Sequence, residues 1–213
     1  MGYVYLYFGT GGGKTANALG LALRSVGHNK RVVIIQFLKW KKDIGEVLVA
    51  DKLKPFYEIY QFGREAWLGE EDATAEFDGE EFHVESAKSR DKELAKNGLD
   101  FATKIMKEKP HLLVLDEINL ATHWRLLEVA DVLKFLDNIP DETTVVMTGR
   151  LSPNELIDRA DFVNVIQEIK MPQHFKLTEG IQYQKTLNTI CGFSDYPTML
   201  SLQNFKIENG DDF

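Results

Sequence analysis

The chain has 213 residues, enough for one well-buried core, and its 44% hydrophobic content is ordinary for a soluble globular fold. A formal charge of −8 and a pI near 5.2 argue against a protein built mainly to grip nucleic acid, which needs clustered cations against phosphate. The single cysteine, Cys191, excludes an intramolecular disulfide and fits a reducing, cytoplasmic setting, while short apolar runs and the lack of a signal-peptide layout make membrane insertion and export unexpected.

Tyr3 to Phe8 reads as a strand, and Thr15 to Val26 places Ala18, Leu19, Ala22 and Val26 at helical spacing. Between them runs Gly9-Thr10-Gly11-Gly12-Gly13-Lys14-Thr15. Glycines at such a join let backbone N–H groups turn inward, and the following helix offers its positive end to the same anion. Lys14 would add a full charge and Thr15 a hydroxyl for a phosphate-bound Mg²⁺. A glycine-rich turn can also merely join strand to helix, but the Gly-Lys-Thr ending in this setting favours a phosphate cradle. The loop is one residue shorter than the ordinary nucleotide-binding pattern.

Val32 to Leu38 and Tyr57 to Phe62 follow as strands, separated by a short basic run at Lys39 to Lys42 that reads as a solvated loop. Glu65 to Asp91 then breaks the rhythm: it is crowded with Glu and Asp, and Trp67, Leu68, Phe77 and Phe82 are among its few apolar residues. A long surface excursion is expected there, more a mobile lid than plain disorder because its aromatics have something to bury. Asp91 to Lys107 reads as a helix, Leu112 to Leu115 as a buried strand, Leu126 to Leu136 as a helix, Thr144 to Thr148 as a strand, Pro153 to Ala160 as a helix and Phe162 to Gln167 as a strand. Strands alternating with helices imply an α/β fold with a mostly parallel sheet covered on both faces.

In a parallel sheet, ligand sites lie at the carboxyl ends of the strands. The strand at Leu112 delivers Asp116 and Glu117 to that edge, where either or both could hold Mg²⁺. Thr148-Gly149-Arg150 reaches the same edge, and Arg150 has the planar donor set that suits phosphate oxygens. Arg24, deep in the first helix, reads either as a surface charge or as a phosphate ligand.

Taken together, these segments resemble the P-loop family of ATP:corrinoid adenosyltransferases. The resemblance rests on the short loop Gly9 to Thr15, on Arg24-Ser25-Val26-Gly27-His28, and on Val33 to Lys39 with Gly45-Glu46 beyond it. It continues through Val114 to Asn119, Val145 to Arg150 and Leu156 to Asp161. It spans Tyr3 to about Lys185 apart from the acidic excursion, within a nucleotide-binding domain at 1–189 followed by an extension at 190–213. It implies a P-loop NTPase (RecA-like) fold holding ATP in the reverse sense, so that C5′ of the ribose faces a Co(I) corrinoid and triphosphate leaves.

On that resemblance Gly9, Thr10, Gly11, Gly12, Gly13, Lys14, Thr15 and Ala16 form the ATP cradle, and Arg24 and Arg150 contact phosphate. Thr15 and Glu117 bind Mg²⁺ (or Mn²⁺) with Asp116 beside it, and Lys14, Glu117 and Arg150 carry catalysis. Phe62 and Trp67 lie where the family places aromatics that push away the lower axial ligand of cobalt. The acceptor would be cobalamin, cobinamide or cobyrinic acid a,c-diamide, in adenosylcobalamin biosynthesis or salvage. A reductase or flavoprotein donates electrons, and a homodimer is the usual assembly. The chain departs from the family pattern at Gly12, where many members have lysine, at Thr10, at Ala16 and at Met171 to Phe175. Losing a loop cation weakens the expected grip on triphosphate unless Lys39 compensates. The alternatives are another P-loop ATPase or small-molecule kinase, which the short loop disfavours, and a non-catalytic ATP- or corrinoid-binding relative.

Overall fold

The computed structural model describes residues 2–69, 71–77, 80–170, 178, 180 and 181. Met171 to Phe175, Cys191 and the 190–213 extension lie outside them. In chain order the elements are β1 (Val4–Phe8), α1 (Lys14–Gly27), β2 (Val32–Phe37), the one-turn α2 (Gly45–Leu48), β3 (Tyr57–Phe62), β4 (Trp67–Gly69), β5 (Ala73–Phe77), β6 (Glu80–Ser86), α3 (Ser89–Met106), β7 (Leu112–Asp116), α4 (Ile118–His123), α5 (Val129–Leu136), β8 (Thr144–Thr148), α6 (Asn154–Arg159) and β9 (Phe162–Val165).

Six strands form one sheet in the order β3-β2-β7-β8-β1-β9, and every pairing in it is parallel. The apolar runs of the central strands β2, β7 and β8 are buried on both faces, and the two-residue period of a strand divides them cleanly; β9, at the sheet edge, is exposed. Val33, Ile35, Phe37, Leu113, Leu115, Val145 and Met147 pack with Ala95, Leu99 and Ala102 of α3, Ile118 of α4, Val132 and Leu136 of α5 and Leu156 of α6. Val32, Ile34, Leu112, Val114 and Val146 face the other way, against Ala18 and Ala22 of α1. The α/β architecture with helices on both faces is therefore as the alternation of elements predicts. Boundaries shift by one to three residues, the most at α5, which starts at Val129 rather than Leu126, and one unpredicted helix, α4, too short to show a helical period, appears directly after Glu117.

The acidic excursion departs from expectation more sharply. In place of a long loop, β4, β5 and β6 form a second sheet, with β6 paired parallel to β4 and antiparallel to β5. Backbone pairing, to which a Glu-rich sequence gives no periodic clue, holds it together. Arg64 fastens its entry to its exit: Nε donates to Asp91 Oδ1 at 2.9 Å, and Nη1 lies 3.0 Å from Glu85 Oε2. Asp91 also accepts from the Lys88 N–H at 2.8 Å, so the buried carboxylate sets the start of α3.

Candidate functional site

Parallel register brings the carboxyl ends of β1, β2, β7 and β8 to one rim, and the glycine loop crosses it between β1 and α1. Gly9 donates to the Arg150 carbonyl at 2.9 Å and Gly11 to the Ile166 carbonyl at 2.8 Å, which pins the loop to the segments after β8 and β9. Gly9 has φ of 115°, and a Cβ there would lie 2.4 Å from the Ile166 oxygen, so glycine is required on both counts. Gly13, at φ 100°, is the N-cap of α1, and the first-turn N–H groups that follow have no intrahelical acceptor. Gly12 is exposed and a Cβ there would meet nothing within 4 Å. Thr10 and Ala16 flank this turn.

Lys14 is buried and curls over the loop, its ammonium donating to the Gly11 carbonyl at 2.6 Å. Burial lowers its pKa, and the charge of Glu117 partly opposes that shift. On the far side, β7 delivers Asp116 fully buried into a complete ring of donors. Oδ1 accepts from Thr15 Oγ1 at 2.8 Å and Thr148 Oγ1 at 2.6 Å; Oδ2 accepts from Gln36 Nε2 at 3.0 Å and Lys39 Nζ at 2.6 Å. Burial acts to raise the Asp116 carboxyl, but the Lys39 charge together with the hydrogen bonds from Lys39, Thr148 and Thr15 outweighs it and leaves the pKa below its ordinary value. For Lys39 itself, burial acts downward while Asp116, Glu117 and Glu46 push its pKa above the ordinary range.

Glu117 behaves differently from its neighbour. It sits at φ 65°, a left-handed conformation for a residue with a side chain, and its N–H donates to Thr148 Oγ1 at 3.1 Å. Its Oε2 is buried with no hydrogen-bond partner. Burial and then the Asp116 charge raise its pKa, against the pull of Lys39, Lys14 and Arg150. A partnerless carboxylate oxygen beside a threonine hydroxyl and a second carboxylate is a donor set that fits a hard divalent cation.

The structure thus gathers Gly9 to Thr15, Asp116, Glu117 and Arg150 at one rim. It leaves Arg24 apart. That residue is exposed in the last turn of α1, about 15 Å along the helix axis from Lys14, because ten intervening steps of helix separate them. Phe62 packs its ring on Phe101, 5.6 Å between centroids, and belongs to the wall between sheet and α3. Trp67 stands edge-on to Trp40 at 5.2 Å, with the Lys41 ammonium 5.1 Å from its ring. These residues line a hollow of about 600 Å³ with Glu65, Glu81 and Glu85 on its rim, immediately beyond Lys39 in the chain. Lys39 does not belong to a solvated loop as its basic run suggests, because its ammonium turns in to Asp116; Gln36 is the member of the ring that the sequence does not announce. Gln36 is visible only through the β2–β7 register, which sets it opposite Asp116, and it also reaches Glu46 Oε1 at 3.2 Å.

A parallel sheet with a Gly-Lys-Thr loop joining its β1 strand to α1, and a buried acidic strand end facing that loop, defines a P-loop nucleotide-binding fold. Residues 1–184 match the family model for the ATP:corrinoid adenosyltransferase BtuR/CobO/CobP. Similar proteins include a corrinoid adenosyltransferase of Sinorhizobium sp, 29% identical over 186 residues that cover 85% of this chain and 80% of that one. Another is the corrinoid adenosyltransferase CobA of Salmonella typhimurium, 28% identical over 85% of this chain and 86% of its own. The corrinoid adenosyltransferase of Escherichia coli K12 is 26% identical over 79% of this chain and 78% of its own. This chain belongs to the ATP:corrinoid adenosyltransferase family, and its reaction class is that of a transferase.

Proposed function

We propose that the chain transfers the 5′-deoxyadenosyl group of ATP to the Co(I) centre of a corrinoid and releases triphosphate. The family match over residues 1–184 carries this proposal. The geometry supports it: an anion cradle one residue short of the ordinary pattern closes one side of the rim, and a hollow with two tryptophans opens beside it. In the transfer, the electron pair of Co(I) forms the Co–C5′ bond while the C5′–O bond breaks, and the pair from that bond leaves on triphosphate. Cobalt supplies the nucleophile, so the protein's work is positioning and stabilising charge on the leaving group.

Lys14, Arg150 and the loop amides are placed to stabilise that charge. Thr15, Glu117 and Asp116 would hold Mg²⁺ or Mn²⁺, which supplies further neutralisation of the triphosphate when bound. Trp67, with Trp40, is the aromatic surface proposed to meet the corrinoid, with Phe62 at the end of β3 as its proposed companion. Cobalamin, cobinamide or cobyrinic acid a,c-diamide is the acceptor, an external reductase or flavoprotein keeps it as Co(I), and the working assembly is a homodimer in the cytoplasm. Among the described residues no helix is long and apolar enough to cross a membrane.

The test is an anaerobic reaction of the purified protein with ATP, Mg²⁺ and chemically reduced cobalamin or cobinamide, following the corrinoid spectrum and the phosphate product together. A light-sensitive alkyl-cobalt species formed with triphosphate, and lost in Lys14→Ala, is the expected result. ADP and phosphate with an unchanged corrinoid spectrum would overturn the proposal.

A further inference from the structure

Lys39 is held by features that make sense together only if its ammonium has a job in the cradle. Leu38, the residue before it, adopts φ 61°, a left-handed conformation that a residue with a side chain rarely takes. Gly63 makes the turn possible, since a Cβ there would lie 2.5 Å from Lys39 N and 2.5 Å from the Leu38 carbonyl carbon. The chain leaving β2 therefore kinks at the sheet edge, and the Lys39 side chain, 19% exposed, ends inside the rim. Its Nζ lies 2.6 Å from Asp116 Oδ2 and 3.4 Å from Thr15 Oγ1.

Those two oxygens are the ones a nucleotide-borne divalent cation, or its water shell, would use beside Glu117. The Asp116 carboxylate already receives four donors, which fills its acceptor capacity. Gln36 and Thr148 are fully buried and Thr15 is fixed on α1, so Lys39 alone among the four has a long flexible stem with which to withdraw. The loop itself has Gly12 in place of a second lysine, which leaves this ammonium as the next cation after Lys14 and Arg150.

We propose that Lys39 is a resident cation of the cradle: its ammonium and a divalent metal ion are alternative occupants of the ground between Thr15 and Asp116, so that nucleotide binds with or without metal. This deepens the nucleotide reading of the same site and rests on phosphate lying along Gly9 to Thr15. Alternative occupancy is a negative coupling, and coupling is reciprocal: removing the ammonium must make nucleotide binding depend on metal and must make metal bind more tightly.

Equilibrium binding of a non-hydrolysable ATP analogue is measured for the wild type, Lys39→Met and Lys39→Arg, in EDTA and in excess Mg²⁺. Mn²⁺ binding to each analogue-loaded protein is followed by electron paramagnetic resonance. In EDTA, Lys39→Met should lose about tenfold or more in affinity; in Mg²⁺ it should stay within about threefold of wild type; and its Mn²⁺ affinity should rise about fivefold or more. Lys39→Arg, which keeps the charge, should retain metal-free binding. Equal losses in EDTA and Mg²⁺, or Mn²⁺ affinity unchanged, would overturn the proposal. Should Lys39→Met not fold, Lys39→Gln is read by the same criteria. No corrinoid enters these measurements, so their failure is distinct from a failure of adenosyl transfer.

Discussion

Gly12 offers a direct test of how far charge limits this cradle. Replacing it by lysine adds an ammonium at an exposed position where a Cβ meets nothing within 4 Å and the backbone lies outside the left-handed region. The side chain therefore enters without strain. Two unit charges about 4 Å apart interact by about 1 kcal/mol in water and about 4 kcal/mol at the effective dielectric of a protein surface. The exposed position favours the watery end for each phosphate charge, and ordering a lysine side chain costs about 1–2 kcal/mol of entropy. Several triphosphate charges against that cost leave a net gain of about 1–2 kcal/mol, or about 5- to 30-fold in affinity. The free protein moves the other way, because the new cation faces Lys14, Lys39 and Arg150. Titration of a fluorescent ATP analogue at low and high salt, with thermal melting of the free and loaded protein, reads both effects. Tighter binding that fades at high salt, with a larger ligand-induced rise in melting temperature, is expected. Unchanged or weaker binding at low salt by a folded Gly12→Lys protein would refute the charge-deficit argument.

Gly9→Ala should destabilise the fold by about 1–3 kcal/mol from the backbone conformation alone, with the clash on the Ile166 carbonyl adding to it, and should abolish analogue binding; an unchanged urea midpoint would contradict the loop geometry. Trp40→Ala, Trp67→Ala and the double variant should show a coupling of about 0.5–1.5 kcal/mol in urea unfolding, and strict additivity would mean that the edge-on pair contributes nothing. Burial acts to raise the Glu58 carboxyl, but hydrogen bonds from Arg31 and Tyr60 hold it below its ordinary value. Its contribution to stability is therefore present above the unfolded glutamate pKa and lost as pH falls through the lower folded one. Arg31→Ala should flatten that acid limb in melts taken across the carboxylate range, and an identical pH profile for the variant would rule the pair out as its source.

The sheet and the loop were legible because their signals are local. Val32 to Ile35 and Leu112 to Leu115 are continuous apolar runs, and only strands buried on both faces by flanking helices dispose of such runs comfortably. Gly9 to Thr15 joins one strand to one helix within a few residues, so its chemistry and its conformation are written in the same place. Asp116 and Glu117 could be assigned to the rim from the strand they end, although which carboxylate is saturated and which lacks a partner could not.

That difference belongs to the tertiary structure, because the partners of Asp116 arrive from distant segments: Lys39 from 77 residues away, Gln36 from 80 and Thr15 from 101. Residue type alone marks the two acids as equivalent, and the β2–β7 and β7–β8 registers make them unequal. The same holds for Arg24, a basic residue in a matching segment that helix geometry carries away from the loop. It holds for Glu65 to Asp91 as well, where pairing between backbones builds a sheet that side-chain periodicity does not advertise. Sequence determined which strands and helices build the main sheet and where phosphate chemistry is available, since both follow from neighbours along the chain. Packing alone decided which charge meets which, because electrostatic partnership depends on distance through space, and strand register sets that distance.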